Sequence, residues 1–143
     1  MTIESDAGLK AIFETCRTVA VVGCSPKPER AGHYVARYWQ HLGYRVIPVN
    51  PGHTELIGET CYASLRDIPE KIDLVDCFRR SEDILPIVED AISIGAKVIW
   101  MQLGVINVEA AQRAEAAGLK VVMNRCPKID YPRLFFPPMF PAA

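Results

Sequence analysis

Thr18-Val19-Ala20-Val21-Val22-Gly23-Cys24-Ser25-Pro26-Lys27-Pro28-Glu29-Arg30 decides the fold of this chain. Its apolar half has the length and β-branched content of a buried strand, and it breaks at Gly23-Cys24-Ser25. Residues 30–42 then place Val35, Tyr38, Trp39 and Leu42 at helical spacing, and Gly43 follows as the stop. A strand that feeds a helix through small residues leaves main-chain N–H groups and the positive end of the helix dipole converging on one spot, which suits a phosphate. The stretch therefore predicts a nucleotide ligand.

Working outward, Leu9, Ile12, Phe13 and Cys16 recur at helical spacing behind Ser5 and Asp6, which predicts an extra N-terminal helix within residues 1–17. Residues 45–50 read as a second strand, although Pro48 lacks an N–H and must face a gap in the ladder or a bulge. Periodicity fades over 51–69, where Gly52, Gly58 and Pro69 predict loops with a short strand or a single helical turn. A third strand at 73–78 precedes a helix through Leu85, Val88, Ala91 and Ile92, capped by Ser81 or Asp83 and closed by Gly95. The fourth strand, 97–101, leads to an alanine-rich helix between Asn107 and Gly118, and the fifth lies at 120–123.

Five apolar strands separated mostly by helices call for an α/β fold: a Rossmann-type, doubly wound parallel sheet covered on both faces. The expected strand order is 3-2-1-4-5, with the ligand crevice beyond the carboxyl ends of strands one and four. With 143 residues, half of them apolar, residues 1–143 suit a single domain with a full core. The apolar tail at 131–143 is rich in Pro and Phe and is not expected to form a regular helix. It reads either as packing back onto its own domain or as an interface with a second copy or a protein partner.

A net charge of −1 offers no basic surface for nucleic acid, and the longest apolar runs are strand-sized, too short to span a membrane. The first residues lack the plan of a secretion signal, so a soluble, cytoplasmic protein is expected. Five widely spaced cysteines without a Cys-x-x-Cys pair predict reduced thiols, with Cys16 and Cys77 in the core. His33, His41 and His53 form no recognisable pair with a Ser or Cys nucleophile, and no acidic cluster has a metal-site pattern. No catalytic constellation emerges, which points to binding rather than catalysis.

The turn keeps only the first glycine of the dinucleotide fingerprint, with Ser25 and Pro28 at the other two positions. Strand two ends in Val49-Asn50-Pro51, where an NAD-binding fold carries an acid for the ribose hydroxyls. An NAD(P)-dependent oxidoreductase is therefore disfavoured, though the fold alone would allow it.

Four ordered motifs carry a resemblance: Gly23-x-Ser25-x-x-Pro28-x-Arg30; Gly43-Tyr44-x-Val46-x-Pro48-Val49-Asn50-Pro51; Val75-Asp76-x-Phe78-Arg79; and Trp100-Met101-Gln102-Leu103-Gly104. Together they resemble the bacterial and archaeal CoA-binding protein family, which is similar to the CoA-binding domain of the succinyl-CoA synthetase alpha subunit. Cys24 stands where that family commonly has alanine.

The resemblance implies a stand-alone protein that binds CoA or an acyl-CoA as a carrier, sensor or regulatory subunit. The second domain and the nucleotide-grasping subunit of the synthetase have no room in this chain. Gly23, Cys24 and Ser25 would form the turn at the phosphates, with Lys27 or Arg30 supplying charge. Asn50 and Pro51 would meet adenine or ribose, and Phe78 and Arg79 would line the adenine and phosphate pocket. Gln102 would bond a pantetheine amide. Blander readings stand beside these: a surface ion pair for Arg30, a strand-ending turn for Asn50 and Pro51, and core packing for Phe78. Cys126, in a segment resembling the family's Arg-Cys-x-Lys element, is either inert or, with Cys24, a thiol that exchanges with CoA disulfide in a redox-responsive interaction protein.

Overall fold

A computed structural model of the chain describes residues 1–136. The elements run α1 (Asp6–Thr15), β1 (Thr18–Val22), α2 (Ala31–His41), β2 (Arg45–Val49), β3 (Glu55–Leu56), β4 (Glu59–Thr60), β5 (Leu74–Cys77), α3 (Ile84–Ser93), β6 (Val98–Gln102), α4 (Val108–Ala116), β7 (Lys120–Arg125) and α5 (Pro127–Phe135). Single 3₁₀ turns at Leu65–Asp67 and Ser81–Asp83 interrupt the connections to β5 and α3.

The main sheet is parallel throughout, as strand–helix alternation requires, and period-2 burial sorts its side chains to two faces. Ala20, Ile47, Val75, Ile99 and Val121 pack with Val88 of α3 and Ala110 and Ala114 of α4. Val19, Val21, Leu74, Trp100 and Val122 pack with Leu9, Ile12 and Phe13 of α1 and Val35 and Trp39 of α2. Helix ends follow the expected chemistry: the Ser5 hydroxyl accepts from Gly8 N–H (3.1 Å) and Asn107 Oδ1 accepts from Ala110 N–H (2.9 Å). Ser81 and Asp83 do not act as side-chain caps of α3; Ser81 lies in the 3₁₀ turn before it, and Asp83 at the N-cap makes no cap bond.

Strand order is the principal correction. The sheet reads β2-β1-β5-β6-β7, so the predicted third strand lies beside β1 rather than outside β2. Pro48 explains why. Its carbonyl accepts from Tyr62 N–H (3.1 Å) on the side of β2 away from β1, and the N–H it lacks would have pointed the same way. A complete strand cannot ladder onto that edge, and only the short bridge Val49–Tyr62 forms there. The chain returns through the hairpin β3–β4 and the first 3₁₀ turn to pair β5 with β1, where Phe78 N–H donates to the Val22 carbonyl (2.8 Å). The sheet order therefore reverses between β1 and β5, and the crevice moves with it.

The second correction concerns the tail. Residues 127–135 are helical despite Pro132, which forfeits one intrahelical bond. Pro127 sits harmlessly at the first helical position, and α5 is held from outside. Tyr131 stacks on Phe135 (4.4 Å between centroids) and meets Phe13 edge-on (5.1 Å), while buried Asp130 accepts from Arg125 (3.1 Å) and Arg133 (3.2 Å). This part of the tail packs back onto its own domain. Residues 137–143, the rest of the Pro-rich run, lie outside the described residues.

Candidate functional site

Gly23 turns the chain out of β1 with φ +88°, and a Cβ there would lie 2.8 Å from the Phe78 carbonyl oxygen. Only glycine fits, because both the backbone conformation and the neighbouring strand exclude a side chain. Seven residues then lead to α2, whose first turn carries no side-chain cap: Arg30 occupies the N-cap in extended conformation. Within that loop the Ser25 hydroxyl accepts from Lys27 N–H (3.1 Å) and Arg30 N–H donates to the Lys27 carbonyl (3.0 Å).

The loop encloses a cavity of about 400 Å³ lined by Gly23, Cys24, Ser25, Lys27, Arg30, Ala31, Gly32, Asn50, Phe78 and Arg79. Eight of the ten sequence-predicted site residues thus converge at the carboxyl ends of β1 and β5. Pro51 lies next door, in a hollow of about 410 Å³ that shares Arg79 and is walled by Val22, Val49, Leu65 and Ile87. Gln102 joins neither. β5 intervenes between β6 and β1, and Gln102 is buried at 4 % exposure with its Oε1 lacking a partner among the described residues.

Electrostatics single out the first cavity. Lys27, Arg30 and Arg79 make no ion pair among the described residues, whereas adjacent Arg80 is paired with Asp83 (3.1 Å) and Glu82 (3.5 Å). Among the described residues Arg30 thus makes no surface ion pair. Three cations without a carboxylate partner among the described residues stand beside the uncapped start of a helix, whose dipole also favours negative charge. A larger hollow of about 530 Å³ at the opposite end of the sheet is lined by Phe13, Tyr44 and Tyr131, and its one cation, Arg17, is committed to the Glu14 (3.0 Å) and Cys16 (3.2 Å) carbonyls.

Two of the lining residues have side chains engaged by the protein itself. Asn50 uses both ends of its amide on the protein: Nδ2 donates to the Cys24 carbonyl (2.9 Å) and Oδ1 accepts from Gly52 N–H (2.9 Å). It braces the loop while lining the cavity, and no acid stands among the described residues where an NAD ribose would be held. Cys24 points its thiol into the core at 0 % exposure, where burial first, and the neighbouring Cys61 second, push it up to about 12. Only its main chain can face the cavity. Cys126 is buried as well, and the adjacent Arg125 is engaged by Asp130. Neither thiol has the exposure that exchange requires. Phe78 does double duty, packing on the core and lining the cavity.

Gly32 is the residue that motif reading missed. Nine positions after Gly23, it sits in the first turn of α2, where a Cβ would lie 2.6 Å from the Gly23 carbonyl oxygen. It performs the close helix–strand packing of the third fingerprint glycine from an unexpected offset. A glycine in a helix start, costing about 1 kcal/mol against alanine, was the available clue.

The family described as CoA binding domain matches residues 17–132 of this chain. The chain belongs to the CoA binding domain family. This CoA binding domain is 39 % identical over 127 residues to the uncharacterized protein YneT of Bacillus subtilis, covering 89 % of this chain and 94 % of that protein. A solved hypothetical protein from Pyrococcus horikoshii superposes with a TM-score of 0.90 at 42 % identity, covering 94 % of this chain and 96 % of that one. The ADP-forming acetate–CoA ligase I of Archaeoglobus fulgidus is 28 % identical over 120 residues, which span 77 % of this chain but only 18 % of the ligase. The domain thus corresponds to a small part of that ligase. No helix among the described residues is long and apolar enough to cross a membrane.

Proposed function

We propose that this CoA binding domain holds CoA or an acyl-CoA non-covalently in the crevice between β1 and β5, as a carrier, sensor or regulatory module rather than a catalyst. One observation carries the reading: Lys27, Arg30 and Arg79 surround a single cavity at the uncapped N-terminus of α2 without carboxylate partners among the described residues. CoA carries a diphosphate and a ribose phosphate, so three cations match its charge-bearing groups, and the adjoining hollow behind Arg79 offers apolar walls for a flat base. Ser25 contributes a hydroxyl, and Gly23 and Gly32 let the end of β1 and the start of α2 come close enough to shape the turn.

Calorimetric titration with CoA, acetyl-CoA, NAD and NADP tests the reading. Saturable binding of CoA or acetyl-CoA, with NAD and NADP at least about tenfold weaker, is expected because the end of β2 has no ribose-binding acid. Tight NAD(P) binding without a response to CoA overturns it.

A further inference from the structure

His33 occupies the first turn of α2 immediately after Gly32, and its ring Nδ1 lies 2.8 Å from the Ser25 carbonyl oxygen. A carbonyl can only accept, so Nδ1 carries the hydrogen and, in the neutral ring, Nε2 does not. One residue earlier, the Cys24 carbonyl is held by Asn50 Nδ2 at 2.9 Å. Two consecutive carbonyls of the turn are therefore each tied by a side chain, one from α2 and one from the end of β2. An anion-binding turn works only if its carbonyl dipoles face away from the anion while its N–H groups face toward it. A loop containing Pro26 and Pro28 has few main-chain N–H groups of its own with which to restrain them.

We propose that His33 is a positioning residue for the phosphate turn, its Nδ1–H locking the Ser25 carbonyl as Asn50 locks that of Cys24, so that the turn is pre-organised for a phosphate. The proposal rests on the CoA reading. His33 contributes by keeping the loop in its binding conformation before ligand arrives, which sets affinity without contact between the ring and the ligand.

The geometry separates this role from simple packing, because asparagine places an N–H donor where Nδ1 lies and glutamine reaches only as far as Nε2. His33→Asn is expected to keep CoA affinity within about twofold of wild type, whereas His33→Gln and His33→Ala lose about five- to tenfold, the worth of one neutral hydrogen bond. Thermal unfolding of each variant reports whether the fold is retained. Full affinity in a folded His33→Ala, or equal losses in all three variants, overturns the proposal. Nitrogen-15 NMR of the wild-type imidazole at mildly alkaline pH provides an arm that needs no ligand. The Nδ1–H tautomer is expected, and the Nε2–H tautomer overturns the clamp. Absence of CoA binding by the wild type overturns the functional reading instead, and the tautomer then decides the clamp alone.

Discussion

A Cβ added at Gly32 would stand 2.6 Å from the carbonyl oxygen of Gly23, so the start of α2 and the end of β1 touch through bare backbone. Neither partner can yield cheaply, because Gly23 is itself wedged against the Phe78 carbonyl. Gly32→Ala therefore gains about 1 kcal/mol of helix propensity and loses more to overpacking, for a net destabilisation of about 1–2 kcal/mol by denaturant unfolding. CoA affinity falls at least about tenfold as the loop shifts. Unchanged affinity would show that this contact does not shape the site.

Arg30 is the N-cap of α2, on the same turn as the uncapped helix start. A diphosphate at that turn lies nearest to it, so Arg30→Ala is expected to weaken CoA and dephospho-CoA alike, by about 10- to 100-fold for a charge-assisted contact. A loss confined to CoA would place Arg30 at the ribose phosphate instead. No loss for either ligand would remove it from the site.

The Asp76 carboxyl lies at 0 % exposure within the sheet, its Oδ2 accepting from the Trp39 indole N–H at 3.0 Å. Desolvation pushes it up to about 8, against the opposing pull of that N–H. An aspartate in the unfolded chain titrates at about 3.9. Between the two values the native state keeps a proton that the unfolded chain has released, so the contribution to stability is complete below about pH 4 and lost as pH rises through about 8. Asp76→Asn retains an acceptor for Trp39 and cannot ionise. Its stability relative to wild type should climb across that window by at most about 1.4 kcal/mol per pH unit and stay level outside it. A pH-independent difference would mean that Asp76 titrates alike in both states.

All five cysteines are buried and free, and the Cys24 thiol is both sealed in the core and pushed up to about 12. Folded protein incubated with CoA disulfide should keep its unmodified mass, with adducts appearing only after denaturation. A stoichiometric adduct at Cys24 or Cys126 in the folded protein would revive thiol exchange.

Much of this was legible along the chain. The strands at 18–22, 74–77 and 98–102 announce themselves by mostly apolar runs, broken only by Thr18, Asp76 and Gln102, because a parallel strand is buried on both faces and needs no alternation. Gly43, Gly95 and Gly118 end helices where expected, each with a positive φ. The charged residues of the turn were visible too, since Lys27 and Arg30 lie within one short segment. Pro132 misled, because local helix-breaking was outweighed by the Tyr131–Phe135 stack, the Asp130 ion pairs and above all the packing of Tyr131 on Phe13, a residue far away in the chain.

Residue types and their order alone determined a doubly wound α/β domain and a small-residue turn after its first strand, because burial periodicity and turn chemistry are written within a few residues of each other, and four ordered motifs carried the resemblance to a CoA-binding family. Tertiary structure alone decided which strand lies beside β1, that Gln102 stands away from the crevice, that Cys24 faces the core and that Asn50 and His33 hydrogen-bond the turn. Each of those outcomes depends on contacts between segments distant in the chain or on the direction of one side chain. Pro48 marked the edge of the sheet, but only the folded arrangement disclosed which side of β2 it closes.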